Sequence, residues 1–387
     1  MLPGRGAVPP ERPPNFHNLC AFPGPRAPTS IPVVNSTVAK LLLAPVSLLY
    51  GMGVGFRNWA YRRGILRGIS FSVPVISVGN LSVGGAGKTP HIEYLIRLLN
   101  PYLNLATLSR GYRRKTRGFL VVRPEMTVEE VGDEPLQYAR KFPDVTVTVV
   151  EERAFGIPEI VGRRPDTQLV LLDDAFQHRA VQPGLNILLT QYELPFTRDY
   201  LLPSGRLREW RSGYERADVI IVSKCPPDLD RAAADALVEE IQPLAHQRVF
   251  FSYYDYGAPY YMLDPRYRLR MEEGIDVLLI SAIANTDYLL QHLRSAARTV
   301  RSLEYADHHY FTGNDISNLQ RRFAEMSGRH RAIITTEKDA TRLEAYREIF
   351  ATEKLPVFVL PLEVKFHFGE GAAFDELVKD YLLNFRA

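Results

Sequence analysis

Short apolar runs alternate with segments of helical periodicity along most of the chain. Val73–Val78 reads as a buried strand, 79–87 as a glycine-rich loop, and Thr89–Leu99 as a helix with Ile92, Leu95, Ile96 and Leu99 on one face. Strand-like runs follow at Leu105–Ser109, Val145–Val149, Leu169–Leu172, Leu185–Leu189 and Val219–Ser223, separated by helix-length segments. This alternation predicts an α/β fold built on a mostly parallel sheet with helices on both faces. The aromatic, turn-rich stretch 253–272 reads as a linker. Beyond it a second series comprises strands at Val277–Ser281, Thr299–Tyr305 and Ala332–Thr335, with helices at Thr286–Ala296 and Asn314–Met326. The pattern therefore predicts a core domain over 69–252 and a smaller C-terminal α/β domain over 273–387.

The N-terminal region breaks from this pattern. Residues 1–33 hold nine prolines and no apolar period, as expected of a disordered leader. The segment 34–68 contains sixteen uncharged residues from Leu41 to Phe56, followed by Arg57, Arg62, Arg63 and Arg67 among Trp59 and Tyr61. Sixteen residues fall short of the ~20 needed to span a bilayer. An apolar stretch backed by arginines and aromatics instead suits a helical segment lying at an anionic membrane surface; a buried core helix is the alternative.

A chain of 387 residues, 46% apolar and 24% charged, excludes a wholly disordered, collagenous or polytopic membrane protein. Cys20 and Cys225 offer neither a disulfide framework nor a CxxC metal site, which fits a reducing compartment. The net charge of +3 is small, but no acidic residue occurs from Arg12 to Ile92, a stretch with eight Lys/Arg. Such a segment seeks anions.

Chemistry concentrates in a few motifs. Gly79-Asn80-Leu81-Ser82-Val83-Gly84-Gly85-Ala86-Gly87-Lys88-Thr89 joins a strand to a helix, the context of a P-loop; Ser82 replaces the first glycine of the strict pattern. There the backbone N–H groups of Val83, Gly84, Gly85, Ala86 and Gly87 surround phosphates, Lys88 reaches the β/γ oxygens, and the Thr89 hydroxyl suits Mg²⁺. The strand Leu169–Leu172 ends in Asp173-Asp174, where carboxylates can hold Mg²⁺ directly or through water. Arg110 follows another strand in a cationic SRGYRRK run. Asp133, in GDEP at a helix start, is an N-cap or a base that takes a hydroxyl proton. Asp307-His308-His309 can supply an oriented imidazole or a structural pair.

Together, VGNLSVGGAGKTP (78–90), LSRGYRRKTRGF (108–119), GDEP (132–135), DDAFQHR (173–179), RDYLLPSGRLRE (198–209), ADHH (306–309) and TTEKD (335–339) resemble the tetraacyldisaccharide 4′-kinase family of lipid A biosynthesis. The resemblance spans roughly residues 40–385. It implies a P-loop kinase at the cytoplasmic face of the bacterial inner membrane that moves the γ-phosphate of ATP to the 4′-hydroxyl of a tetraacylated glucosamine disaccharide 1-phosphate, giving lipid IVA. It also implies Asp133 as base, with His308 and Asp307 completing a catalytic group. Thr89, Asp173, Asp174 and Glu209 would be near Mg²⁺, and Arg110, Tyr112, His178 and Arg206 would lie in the substrate or phosphate region. Ala175 stands where the family has glycine, and 281–286 departs from GIANP.

Other classes fit less well. A GTPase needs an Asn-Lys-x-Asp reader where this chain has Ser223-Lys224-Cys225-Pro226. A membrane-bound P-loop ATPase that positions other proteins carries a signature lysine where Val83 stands, and has no use for Asp133 or Asp307-His308. No RRM, KH, zinc-finger or basic-zipper pattern supports a nucleic-acid partner.

Overall fold

The computed structural model describes residues 37–271 and 274–386; the expected leader at 1–33, with Cys20, lies outside the described residues. The larger domain is built on β1 (Val75–Asn80), β2 (Leu105–Ser109), β3 (Leu120–Val121), β4 (Thr146–Val149), β5 (Leu169–Asp173), β6 (Leu185–Gln191), β7 (Val219–Ser223) and β8 (Arg248–Tyr256). β1, β2, β5 and β7 are buried along their whole length, as strands covered on both faces must be. β1 starts at Val75 rather than Val73, where Pro74 has no N–H to give to a ladder.

The smaller domain contains β9 (Tyr260–Tyr261), β10 (Asp276–Ser281), β11 (Thr299–Glu304), β12 (Arg331–Thr336) and β13 (Val357–Leu360), in the order β11-β10-β12-β13-β9. Only β9 runs antiparallel in it. The last strand, β14 (Leu362–Phe366), returns to the larger sheet, whose order is β14-β8-β7-β6-β1-β5-β2-β4-β3. Its two edge strands, β14 and β3, are antiparallel to their neighbours, and the interior is parallel.

The helices are α1 (Thr37–Arg62), α2 (Lys88–Leu99), α3 (Val128–Val131), α4 (Asp133–Lys141), α5 (Arg153–Arg163) and α6 (Arg231–Ile241) in the first part of the chain. The second part adds α7 (Asp287–Ala296), α8 (Gly313–Ala324), α9 (Glu337–Leu343), α10 (Arg347–Thr352) and α11 (Gly371–Leu383).

Two expected boundaries need correction. The assignment of all residues from 273 to the C-terminus to the second domain fails at β14, which pairs with β8. α11 then buries Phe374 and Val378 in the core of the larger domain, and the Tyr381 hydroxyl accepts from the Val75 amide at 3.1 Å. The tail is thus part of the first domain, drawn there by an apolar helix face that needs a core. The expected linker 253–272 is also too long. β8 continues to Tyr256 and β9 already belongs to the smaller sheet, because the aromatic run has strand rather than loop propensity.

α1 has its polar face inward. Ser47 donates to Ser204 Oγ at 2.8 Å, the carbonyl of Gly51 accepts from Trp210 Nε1 at 2.7 Å, and Asn58 Nδ2 donates to Glu209 at 2.9 Å. A Cβ on Gly51 would meet Trp210 at 2.6 Å, so only glycine allows this approach. The apolar face looks outward: Leu41, Leu42, Val46, Leu49, Met52 and Phe56 are all exposed, Leu41 by 75%. The buried-core alternative for this helix is thereby excluded. Among the described residues no helix is long and apolar enough to cross a membrane.

A candidate active site between two domains

β1 and β5 lie side by side in the parallel sheet, so the loop after β1 and the carboxylates at the C-terminal end of β5 meet at one sheet edge. The loop opens α2 through Gly84 (φ 112°) and Gly87 (φ 84°), conformations that favour glycine. The Val83 amide donates to the Arg206 carbonyl at 2.7 Å, which ties this loop to the Pro/Gly loop around 203–209. Lys88 Nζ approaches Asn80 Oδ1 at 3.3 Å and Asp174 Oδ1 at 3.7 Å. Thr89 occupies the first turn of α2.

The paired carboxylates differ. Asp174 is gripped by both Nη atoms of Arg208, at 2.9 and 3.2 Å. Burial opposes its ionisation, but Lys88 and Arg208 prevail and hold its carboxyl well below the usual range. Asp173 accepts from the Tyr138 hydroxyl at 3.0 Å, while its Oδ1 is buried without a partner. Burial pushes Asp173 up to about 6, against the pull of Lys88. An orphaned carboxylate oxygen beside a phosphate loop fits a divalent cation, and Asp173 and Thr89 are the residues that would hold Mg²⁺, whereas both oxygens of Asp174 already accept from Arg208. The left-handed residue of this turn is Asp174 (φ 51°), which explains why alanine is tolerated at 175.

Glu209 does not fit the metal role expected of it. It is fully buried, and its oxygens accept from Asn58 at 2.9 Å, Gln177 at 3.0 Å and Arg216 at 2.8 Å. With donors on both oxygens it is a clamp between α1 and the loop following β5. Arg206 is likewise committed, its Nε donating to Asp199 at 3.2 Å.

Asp133 is the first residue of α4. Gly132 ahead of it (φ 92°) packs against the backbone of Gly111, so the helix start is pressed onto the loop after β2. Asp133 Oδ2 meets His308 Nδ1 at 2.8 Å and Arg342 Nη2 at 3.1 Å, with Lys338 Nζ at 3.7 Å. It does not cap the helix, whose N-cap is Gly132; its Oδ1 accepts from the adjacent Glu134 amide at 3.1 Å. Burial would raise its pKa, but Lys338 and the His308 hydrogen bond outweigh it and hold the carboxylate well below its ordinary value. Glu134 is pushed the other way, up to about 7, by burial and the nearby Asp133 charge despite Lys338. Asp133, Glu134 and His308 present ligand atoms within 4.8 Å of one another, but Lys338 and Arg342 already supply positive charge there.

His308 (φ 60°) follows β11 in the second domain and packs 4.9 Å from the exposed ring of Tyr112. Asp307 Oδ2 lies 3.6 Å from its Nε2. His309 turns away to Asp315 at 3.0 Å, so His308 is the one of the two histidines that the fold brings to Asp133. On the other side, His178 Nε2 accepts from buried Arg153 at 3.0 Å. Burial, Arg153 and Arg110 together push His178 down to about 4. Arg110 itself is exposed.

The sequence reading missed Arg153, Arg208, Lys338 and Arg342. Arg208 stood inside a recognised motif, and Lys338 inside TTEKD; Arg153 and Arg342 carried no local signal. His91 was also missed: its Nδ1 meets the Gly87 carbonyl at 2.7 Å beneath the phosphate loop.

Residues 39–383 match the family model described as tetraacyldisaccharide-1-P 4′-kinase. The tetraacyldisaccharide 4′-kinase of Bacteroides thetaiotaomicron is 41% identical over 355 residues, covering 88% of this chain and 92% of its own. That of Phocaeicola vulgatus is 41% identical over 345 residues, covering 88% and 94%. The crystal structure of "apo" form LpxK from Aquifex aeolicus in complex with ATP gives a TM-score of 0.66 at 28% identity, covering 89% of this chain and 99% of that one.

Proposed function

The chain belongs to the tetraacyldisaccharide 4′-kinase family, and on that premise we propose that it transfers the γ-phosphate of ATP to the 4′-hydroxyl of a tetraacylated glucosamine disaccharide 1-phosphate, forming lipid IVA. The observation that carries the reading is the pairing of Asp133 with His308 across the domains, at the sheet edge that also bears the phosphate loop. Asp133 takes the proton of the 4′-hydroxyl, and the resulting oxygen bonds the γ-phosphorus as the bond to the bridging oxygen of ADP breaks. Lys88 and the amides of Gly84, Gly85 and Gly87 bear the charge on the transferred group; those of Val83 and Ala86 already donate to the carbonyls of Arg206 and Gly84. When bound, Mg²⁺ would neutralise charge on the nucleotide phosphates; Asp173 and Thr89 fit it, whereas the oxygens of Asp174 and Glu209 are already taken by donors. Arg110, Tyr112 and His178 face the acceptor.

The acceptor carries four acyl chains and stays in the bilayer, so the enzyme must come to it. The outward apolar face of α1, followed by Arg57, Arg62, Arg63 and Arg67, supports docking at the cytoplasmic face of the inner membrane, with no nucleic-acid partner. Transfer of label from [γ-³²P]ATP to the tetraacyl disaccharide 1-phosphate in detergent micelles tests the activity; ATP hydrolysis without labelled lipid would refute it.

A further inference from the structure

Lys338 stands in the first turn of α9 with all its partners in or beside the Asp133–His308 pair. Its Nζ lies 3.1 Å from Glu134 Oε1, 3.4 Å from Asp307 Oδ1, 3.3 Å from His308 Nε2 and 3.7 Å from Asp133 Oδ2. It is mostly buried, and its position is fixed from below. The side chain of Asp339 accepts from Ser281 Oγ at 3.1 Å, the Ala282 amide at 3.1 Å and Thr336 Oγ1 at 2.7 Å, locking the start of α9 to the end of β10. Lys141 of α4, ion-paired with Glu337 at 2.6 Å, fastens the same turn to the helix that bears Asp133.

We propose that Lys338 is a positioning residue of the second domain that fixes which group of the Asp133–His308 pair accepts the substrate proton. An ammonium has only donors. With Lys338 donating to Nε2, the ring proton of His308 must sit on Nδ1, where it is donated to Asp133. Both imidazole nitrogens are then occupied, so the proton leaving the 4′-hydroxyl goes to Asp133: the substrate O–H bond breaks and a carboxyl O–H bond forms. His308 orients the carboxylate, and Lys338 orients His308 while favouring the ionised form of the base. The inference rests on the reading of Asp133 as base.

Other charged groups face Asp133 as well. Glu134 lies on its own helix, Arg342 and Asp339 come from α9, and Asp307, His308 and Tyr310 come from the segment after β11. Arg342 and the His308 hydrogen bond favour ionisation alongside Lys338, and both remain when Lys338 is removed. The sign follows: loss of the ammonium raises the pKa of Asp133, leaves less of it ionised at a given pH, and moves the acid limb of kcat/KM upward. A charge at this distance is worth about one pH unit or more.

The test compares kcat/KM against pH for wild type, K338M and K338R, using tetraacyl-disaccharide 1-phosphate in micelles. The expected result is an acid limb displaced upward by about one unit in K338M and restored in K338R, with KM for ATP within about twofold of wild type. An unmoved limb with uniformly lower kcat would make Lys338 merely structural and overturn the proposal. Should K338M fail to fold, ¹⁵N-histidine spectra of the wild type decide. A His308 signal, assigned by its loss in H308Q, with bare Nε2 supports the proposal, and one with a proton on Nε2 overturns it. D133N separates the two readings: an active D133N refutes Asp133 as base, whereas an inactive D133N with an unmoved K338M profile refutes only the role of Lys338.

Discussion

Asp133 and His308 are 175 residues apart in the chain and come from different domains, yet the imidazole Nδ1 meets the carboxylate at 2.8 Å. Neither domain alone contains this pair. The phosphate loop and Asp133 belong to the larger sheet, and the imidazole arrives only when the smaller sheet docks. Separation of the domains would leave the phosphate loop without the Asp133–His308 contact.

Because His308 reaches Asp133 and His309 instead bonds Asp315, the two histidines separate cleanly by mutation. H308A should lower kcat by roughly tenfold to a thousandfold, the range of an acid–base partner, while H309A stays within about threefold of wild type. Steady-state kinetics with both substrates saturating reads the difference.

Glu209 predicts a stability effect rather than a metal effect. Replacing it by alanine strands Asn58, Gln177 and the Arg216 guanidinium, and loss of one partner of a buried pair costs about 3 kcal/mol. E209A should unfold at lower denaturant concentration with an unchanged Mg²⁺ dependence of residual turnover. D173N should retain stability and require more Mg²⁺.

The inverted polarity of α1 makes a prediction in two parts. L49E or F56E, each placing a charge on the exposed apolar face, should abolish vesicle binding whatever the lipid. Neutralising Arg62, Arg63 and Arg67 should weaken binding only to anionic vesicles, by roughly fivefold per arginine, since each is worth ~1 kcal/mol near such a surface. Co-sedimentation with neutral and anionic liposomes distinguishes the two.

His91 makes acid stability a property of the phosphate loop. It is buried between the Gly87 carbonyl and Ser252 Oγ, and burial pushes it down to about 4 from an ordinary 6.5. Between those values the unfolded chain binds the proton and the folded one does not, so stability present above pH 6.5 is lost as pH falls to 4. The loss is roughly 3 kcal/mol. Urea titrations at pH 7 and pH 4.5 should show it in wild type and show less of it in H91N.

Much of this was legible in the sequence because it was local. β2 and β7 lie where the apolar runs placed them, and the phosphate loop, Asp173-Asp174 and Asp133 were readable as motifs on predicted elements. What escaped was long-range. Arg342 reaches Asp133 over 209 residues, and nothing near Arg342 marks it. Glu209 looked like one more acidic residue near the metal until its three donors, scattered from Asn58 to Arg216, were assembled around it. The return of β14 and α11 to the first domain depends on where an apolar face finds a core, which periodicity alone does not specify.

The most direct test of the account is phosphoryl transfer from [γ-³²P]ATP to tetraacyl-disaccharide 1-phosphate by wild type and D133N, with nucleotide affinity measured in parallel. The predicted result is labelled lipid from wild type, at least about a hundredfold less from D133N, and unchanged ATP binding in both. Wild-type-like transfer by D133N would contradict the central claim that this carboxylate, held by the second domain, takes the proton of the acceptor.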